Sequence, residues 1–190
     1  LIAAGTDLNI GKIIDEHGRT VSNLYLAIEN GFTELALQLI DAGADLNFGE
    51  ARLPQRSDSH IETLPPLCHA IKKGNTKVAL ALISKGSDPN QPYINHCGYI
   101  YSSLYLAIQQ GYDEIALSLI AAGAALDEGI VFSSGKTSSN LDLALRNNNT
   151  AVALVLIEKG ANLNTELVCS LDGTSSYLYK AIRGRHNEVA

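Results

Sequence analysis

The chain repeats itself, and this constrains the fold more than any other feature. Residues 22–47 read SNLYLAIENGFTELALQLIDAGADLN and residues 65–90 read PPLCHAIKKGNTKVALALISKGSDPN. Residues 102–127 (SSLYLAIQQGYDEIALSLIAAGAALD) and 139–164 (SNLDLALRNNNTAVALVLIEKGANLN) follow the same pattern. A fifth copy begins at Ser176, and Leu1 to Asn9 reads as the tail of another. Ala27, Ala70, Ala107, Ala144 and Ala181 are spaced by 43, 37, 37 and 37 residues. Gly5, Gly43, Gly86, Gly123 and Gly160 keep the same register at 38, 43, 37 and 37. Two independent markers with one period imply a repeat architecture.

Each copy predicts two short helices. Leu104, Ala107 and Ile108 share one helical face, Ser102 is placed to cap it, and Gly111 ends it. A second helix is predicted over 113–121, with Ile115, Ala116, Leu119 and Ile120 apolar and Gly123 as its stop. Asn148 stands where the other copies have glycine, and asparagine tolerates the same left-handed turn. Helices of about nine residues are marginal alone. Their apolar faces are buried only by stacking on neighbours, as in a solenoid.

The order Leu-x-x-Ala-Ile/Leu-x-x-Gly, then Glu-Ile-Ala-x-x-Leu-Ile, then Gly-Ala-x-Leu-Asn resembles the ankyrin repeat over essentially the whole chain. The family's T-P-L-H-x-A motif is best kept in Pro65-Pro66-Leu67-Cys68-His69-Ala70. Cys68 stands at the motif's histidine position, as do Tyr25, Tyr105, Asp142 and Tyr179 in the other copies. The resemblance implies a mainly α ankyrin solenoid, helix-turn-helix units joined by β-hairpin fingers. The expected organisation is a single array over 1–190: a partial copy at 1–9, repeats 10–47, 48–90, 91–127 and 128–164, and a partial copy at 165–190.

An ankyrin repeat has 33 residues, and most of these have 37. The excess lies between helix pairs. Segments 91–101, 128–138 and 165–175 each carry a β-prone stretch, a turn residue (Gly98, Gly135, Asp172-Gly173) and more β-branched or hydroxylated residues. We read these as lengthened hairpins, since two extra residues per arm preserve the strand period. Segment 48–64 is longer, with Pro54 and Ser57-Asp58-Ser59 as loop signals. It reads as an inserted loop, either contacting a partner or passive.

Chemistry is not expected in this segment. Cys68-His69 and His96-Cys97 lack zinc-ligand spacing, and Cys169 has no activating base that the sequence places beside it. No phosphate-loop, nucleophile-elbow or HExxH motif occurs. Acids such as Asp113-Glu114 fit a helix start. The expectation is therefore no catalysis, cofactor or metal, with Cys68, Cys97 and Cys169 as free thiols. The net charge of −6 argues against nucleic acid, and the longest apolar run, residues 151–157, is too short to span a membrane. With no signal peptide visible, a reducing compartment is expected: the cytoplasm, or a host cytosol for a secreted effector. The lack of any Met leads to the expectation of a fragment.

What the resemblance implies about function is protein binding through the concave face of first helices and fingers. The variable positions there are Glu29-Asn30, Lys72-Lys73, Gln109-Gln110, Arg146-Asn147 and Arg183-Gly184. Lys72, Lys73, Arg146 and Arg183 suggest a positive strip for an acidic partner surface, with Tyr93, Tyr99 and Tyr105 as aromatic anchors. A monomer is expected. The alternatives are the recruiting region of a larger bacterial effector enzyme, which the divergent repeats also resemble, and a structural spacer.

Overall fold

The computed structural model describes residues 8, 13–14, 19–52, 62–135 and 137–163. In chain order they form β1 (Ile13–Ile14), β2 (Arg19–Val21), α1 (Asn23–Glu29), α2 (Thr33–Asp41), β3 (Glu50–Arg52), β4 (Glu62–Leu64), α3 (Pro66–Lys72) and α4 (Thr76–Ser84). There follow β5 (Tyr93–Ile94), β6 (Ile100–Tyr101), α5 (Ser103–Gln110), α6 (Asp113–Ala121), β7 (Ile130–Val131), β8 (Thr137–Ser138), α7 (Asn140–Arg146) and α8 (Thr150–Glu158).

Local chemistry sets most of the helix starts. The hydroxyls of Ser22, Ser102 and Ser139 accept from the backbone N–H of Tyr25, Tyr105 and Asp142 at 3.0, 3.0 and 3.1 Å. They satisfy donors that a helix start leaves free. In the second copy Pro65 takes that place, and Pro66 opens α3 where a missing N–H costs nothing. The turn between paired helices needs a left-handed residue. Asn148 supplies it at φ 60°, as Gly111 does at 74°. Asn75 and Asn149 then cap α4 and α8, accepting from Val78 and Val152 N–H.

First helices pack in the order α1, α3, α5, α7, and second helices in the order α2, α4, α6, α8. Leu24, Leu67, Leu104 and Leu141 are buried at every step, as are Ala27, Ala70, Ala107 and Ala144. Each buried leucine contributes about 1.5–3 kcal/mol. The alanines leave room for neighbouring helices to approach.

The expected hairpins form at β5–β6 and β7–β8, while the third, at 165–175, lies outside the described residues. Segment 48–64, expected as a loop, also contributes two paired arms. β3 and β4 are antiparallel with Glu50 opposite Leu64 and Ala51 opposite Thr63, and 53–61 lies outside the described residues. The sequence reading also missed the pairing between hairpins. β2 joins β3, β4 joins β5 and β6 joins β7, giving one antiparallel sheet in chain order, eight-stranded among the described residues.

The register explains the two-residue lengthening. One row runs through Thr63, Ile94, Ile100, Val131 and Thr137. The alternate row holds Leu64, Tyr93, Ile130 and Ser138, which are buried. An odd insertion would have exchanged these faces. Close approach at the finger roots requires glycine. A Cβ at Gly129 would strike the Ser138 carbonyl and the Tyr105 ring, and one at Gly49 would strike the Leu64 carbonyl.

Polar side chains link the copies. Asn47 Oδ1 accepts from Asp88 N–H at 2.9 Å, Asn90 Oδ1 from Ala125 N–H at 2.7 Å, and Asp127 Oδ1 from Asn162 N–H at 2.7 Å. The Asn/Asp that closes each copy therefore binds the backbone of the next. Asn140, fully buried, donates to the carbonyls of Ala125, Leu126 and Glu128 at 3.2, 2.9 and 3.1 Å. Asn140→Ala strands these carbonyls and is expected to cost about 1–3 kcal/mol. Urea unfolding measures it; a loss under ~0.5 kcal/mol would show that they find other partners.

Candidate protein-binding face

The ends of α1, α3, α5 and α7 lie side by side because these helices pack in sequence. In each, the Ala-Ile or Ala-Leu pair is buried and the next two residues turn outward. Glu29, Asn30, Lys72, Lys73, Gln109, Gln110, Arg146 and Asn147 are all exposed. Helical periodicity and the left-handed turn that follows produce this row. Arg183 and Gly184 lie outside the described residues.

The expected positive strip is largely neutralised. Lys73 Nζ lies 3.0 Å from Glu29 Oε1 of the preceding copy, and Arg146 pairs at 2.9 Å with Asp142 one turn earlier on α7. Lys72 differs. Its Nζ sits 3.9 Å from the centroid of the Tyr93 ring, a cation–π contact, and it forms no ion pair with described residues.

Two of the three expected aromatic anchors are corrected by burial. Tyr93 is 8% exposed and Tyr105 is 7% exposed. Tyr93 lies on the helix-facing row of the sheet and stacks on Tyr101 at 5.3 Å. Tyr105, in the first turn of α5, lies 6.2 Å from Tyr101. Both are packing residues between finger and helix. Tyr99 keeps partial exposure and meets Phe132 of the next finger edge-on at 5.5 Å. Tyr101 and Phe132, also partly exposed, were missed. Their alternation with Ile100 and Val131 was the available signal. Burial, with neighbouring tyrosines, raises the Tyr101 hydroxyl above its usual pKa.

Beneath the row, His69 is buried and joins two copies. Its Nε2 lies 2.7 Å from Glu29 Oε2, and its ring stacks on Tyr25 at 4.2 Å. The Tyr25 hydroxyl donates to Glu50 Oε2 at 2.7 Å. The carboxylate at Nε2 places the imidazole proton there, and Nδ1 is buried without a hydrogen-bond partner. Burial pushes the His69 pKa down to about 4, against the pull of Glu29. For Glu29, burial acts upward, but hydrogen bonds from Lys73 and His69 outweigh it and the pKa falls.

Cys68 faces the other way. Its Sγ lies 3.2 Å from Ser103 Oγ of the following copy, and burial pushes its thiol up to about 11. So the adjacent Cys68 and His69 reach opposite neighbours. Cys68 and Cys97 are free thiols, and Cys169 lies outside the described residues. Among the described residues no group of three His, Cys, Asp or Glu is placed to hold a metal ion, and no helix is long and apolar enough to cross a membrane.

The stacked helix pairs with hairpin fingers define a repeat fold, and the family comparison agrees. The model for ankyrin repeats (3 copies) matches residues 24–130 and 67–167. The chain belongs to the ankyrin-repeat family. A search of curated proteins finds no match.

The His69 pKa carries a stability consequence. Between pH 6.5 and about 4 the unfolded chain binds a proton that folded His69 refuses. The contribution is complete above pH 6.5 and is lost as the pH falls, up to about 3 kcal/mol by pH 4. Urea unfolding at pH 7, 6 and 5 is expected to show the decline, and His69→Gln should flatten it. An equal slope in both proteins would contradict the assignment.

Proposed function

We propose that this chain is a protein-interaction module. The supporting observation is the row of exposed polar side chains at the ends of α1, α3, α5 and α7, held in register by a buried core. In this reading residues 1–190 are one solenoid array with the repeat boundaries given above. The row and the fingers form its concave binding face, as solenoids present extended surfaces of this kind. Contacts come from Glu29, Asn30, Lys72, Lys73, Gln109, Gln110, Arg146, Asn147 and Arg183, with Tyr99 as the finger's aromatic contact. Tyr93 and Tyr105 act underneath, as supports.

The partner is a protein with an acidic group opposite Lys72. This position is favoured over Lys73 and Arg146 because those two cations already have carboxylates. We further propose a non-catalytic, cytoplasmic monomer. An exposed free thiol at Cys97 suits a reducing compartment.

The experiment captures a partner on immobilised protein and follows the purified pair by titration calorimetry. Lys72→Glu is expected to weaken binding by about tenfold or more, equivalent to ~1.4 kcal/mol, and to reduce its salt dependence. Lys73→Ala should have a smaller effect. Binding untouched by Lys72→Glu and by Gln109→Arg, yet lost on Glu114→Lys in α6, would move the interface to the second helices.

A further inference from the structure

Charge is missing from the middle of the array. Residues 91–111, the β5–β6 finger with α5 and its glycine cap, contain no Asp, Glu, Lys or Arg, in a chain with 14 Lys and Arg and 20 Asp and Glu. The same segment holds Tyr93, Tyr99, Tyr101 and Tyr105, half of the chain's eight tyrosines. The buried centre of an interface is depleted of charge and enriched in tyrosine, so this composition singles out one stretch of the face.

The register sorts the rings into a support and a surface. Tyr101 stands opposite Tyr93 on one side and Ile130 on the other, in the helix-facing row of the sheet. Tyr93 and Ile130 are buried at the finger roots. Tyr101 is partly exposed and stacks on Tyr93 at 5.3 Å, so its ring is held in place from beneath. One strand period nearer the tips, Tyr99 and Phe132 point to the same side and meet edge-on at 5.5 Å. Two neighbouring fingers thus build one partly exposed aromatic wall. Gln109 and Gln110, exposed at the end of α5, add neutral amides, and Lys72 adds a cation over the Tyr93 ring.

These surroundings select among the ways a protein can present a segment. Strand addition is closed off at this finger, because β4 and β7 already pair with β5 and β6. An amphipathic helix needs an apolar groove, and here the first helices end in polar residues such as Gln109 and Gln110. A polyproline II segment finds what it requires. Its rings pack on aromatic side chains, and its backbone carbonyls, unpaired within the segment, accept from neutral donors.

We infer, on the protein-binding reading above, that the wall of Tyr99, Tyr101 and Phe132 holds a proline-rich extended segment of the partner, with an acidic residue of that segment at Lys72. The segment is neutral where it meets the rings, and Lys72 fixes which end carries the carboxylate. The glutamine amides donate to its carbonyls.

The probe is a synthetic peptide of Glu-Glu followed by about eight prolines, roughly 25 Å of polyproline II. Its control has glycine in place of every proline. Titration calorimetry with the 190-residue chain is expected to show the proline peptide binding at least about tenfold more tightly. Tyr99→Ala and Phe132→Ala should each weaken it by about tenfold in proteins that still unfold cooperatively in urea, and Tyr99→Phe should preserve it. Gln109→Glu, at an exposed position, removes donors and repels the glutamates, and should weaken it as well. The peptide should also displace a captured partner. Equal affinity for the two peptides would overturn the inference, as would proline binding untouched by Tyr99→Ala, Phe132→Ala and Gln109→Glu. A partner that needs Lys72 yet is not displaced by the peptide would overturn it too, leaving the protein-binding reading in place with a segment of another kind. Self-association abolished by Tyr99→Ala would assign the wall to a second copy. Partner binding lost only on Glu114→Lys would remove the protein-binding face itself.

Discussion

The whole structure depends on helices too short to be stable by themselves. Those described have seven to nine residues, and each carries more apolar surface than its hairpin partner covers. Burial is completed only across the boundary between copies, where Val78, Ile115 and Val152 vanish from solvent. Stability is therefore a property of interfaces between neighbours. One consequence is that the exposed ends of first helices lie outside the core, although Glu29 still holds the buried His69 and Lys72 covers the Tyr93 ring.

Polar groups then fix what apolar burial leaves loose. Stacked alanines and leucines tolerate sliding. The hydrogen bonds that Asn47, Asn90 and Asp127 accept from the N–H groups of Asp88, Ala125 and Asn162 do not. The continuous sheet adds a second constraint along the fingers. At the boundary that Asn47 also spans, His69 adds a stack on Tyr25 and a hydrogen bond to Glu29. The same Glu29 also holds Lys73, so a buried link and an exposed cation share one carboxylate.

What was legible in the sequence was local or periodic. Ser22, Ser102 and Ser139 announce helix starts, Asn148 announces its left-handed turn, and the spacing of alanines and glycines gives the repeat. The hairpins at β5–β6 and β7–β8 were legible because arms and turn are contiguous. The joining of hairpins into one sheet was not, since it depends on how far apart stacking sets the copies. The same limit hid the Lys73–Glu29 pair, which spans two copies. Arg146 and Asp142 were within reach of reasoning, four residues apart on one helix. Tyr93 and Tyr105 misled because a tyrosine at the surface and one beneath it look alike in sequence. The register of the sheet places Tyr93, and the packing of α5 against the finger places Tyr105.

If interfaces between like copies carry the stability, removing one copy should leave the others able to meet. Deleting residues 91–127 joins Asn90 to Glu128 and brings Asn90 to the backbone N–H of Asn162, which Asp127 now serves. Equilibrium urea unfolding of this shortened chain is the most direct measurement. The account predicts a single cooperative transition with an m-value lower by roughly one fifth, in line with the residues removed. A shortened chain that fails to fold, or that melts without cooperativity, would show instead that the array depends on contacts particular to each copy.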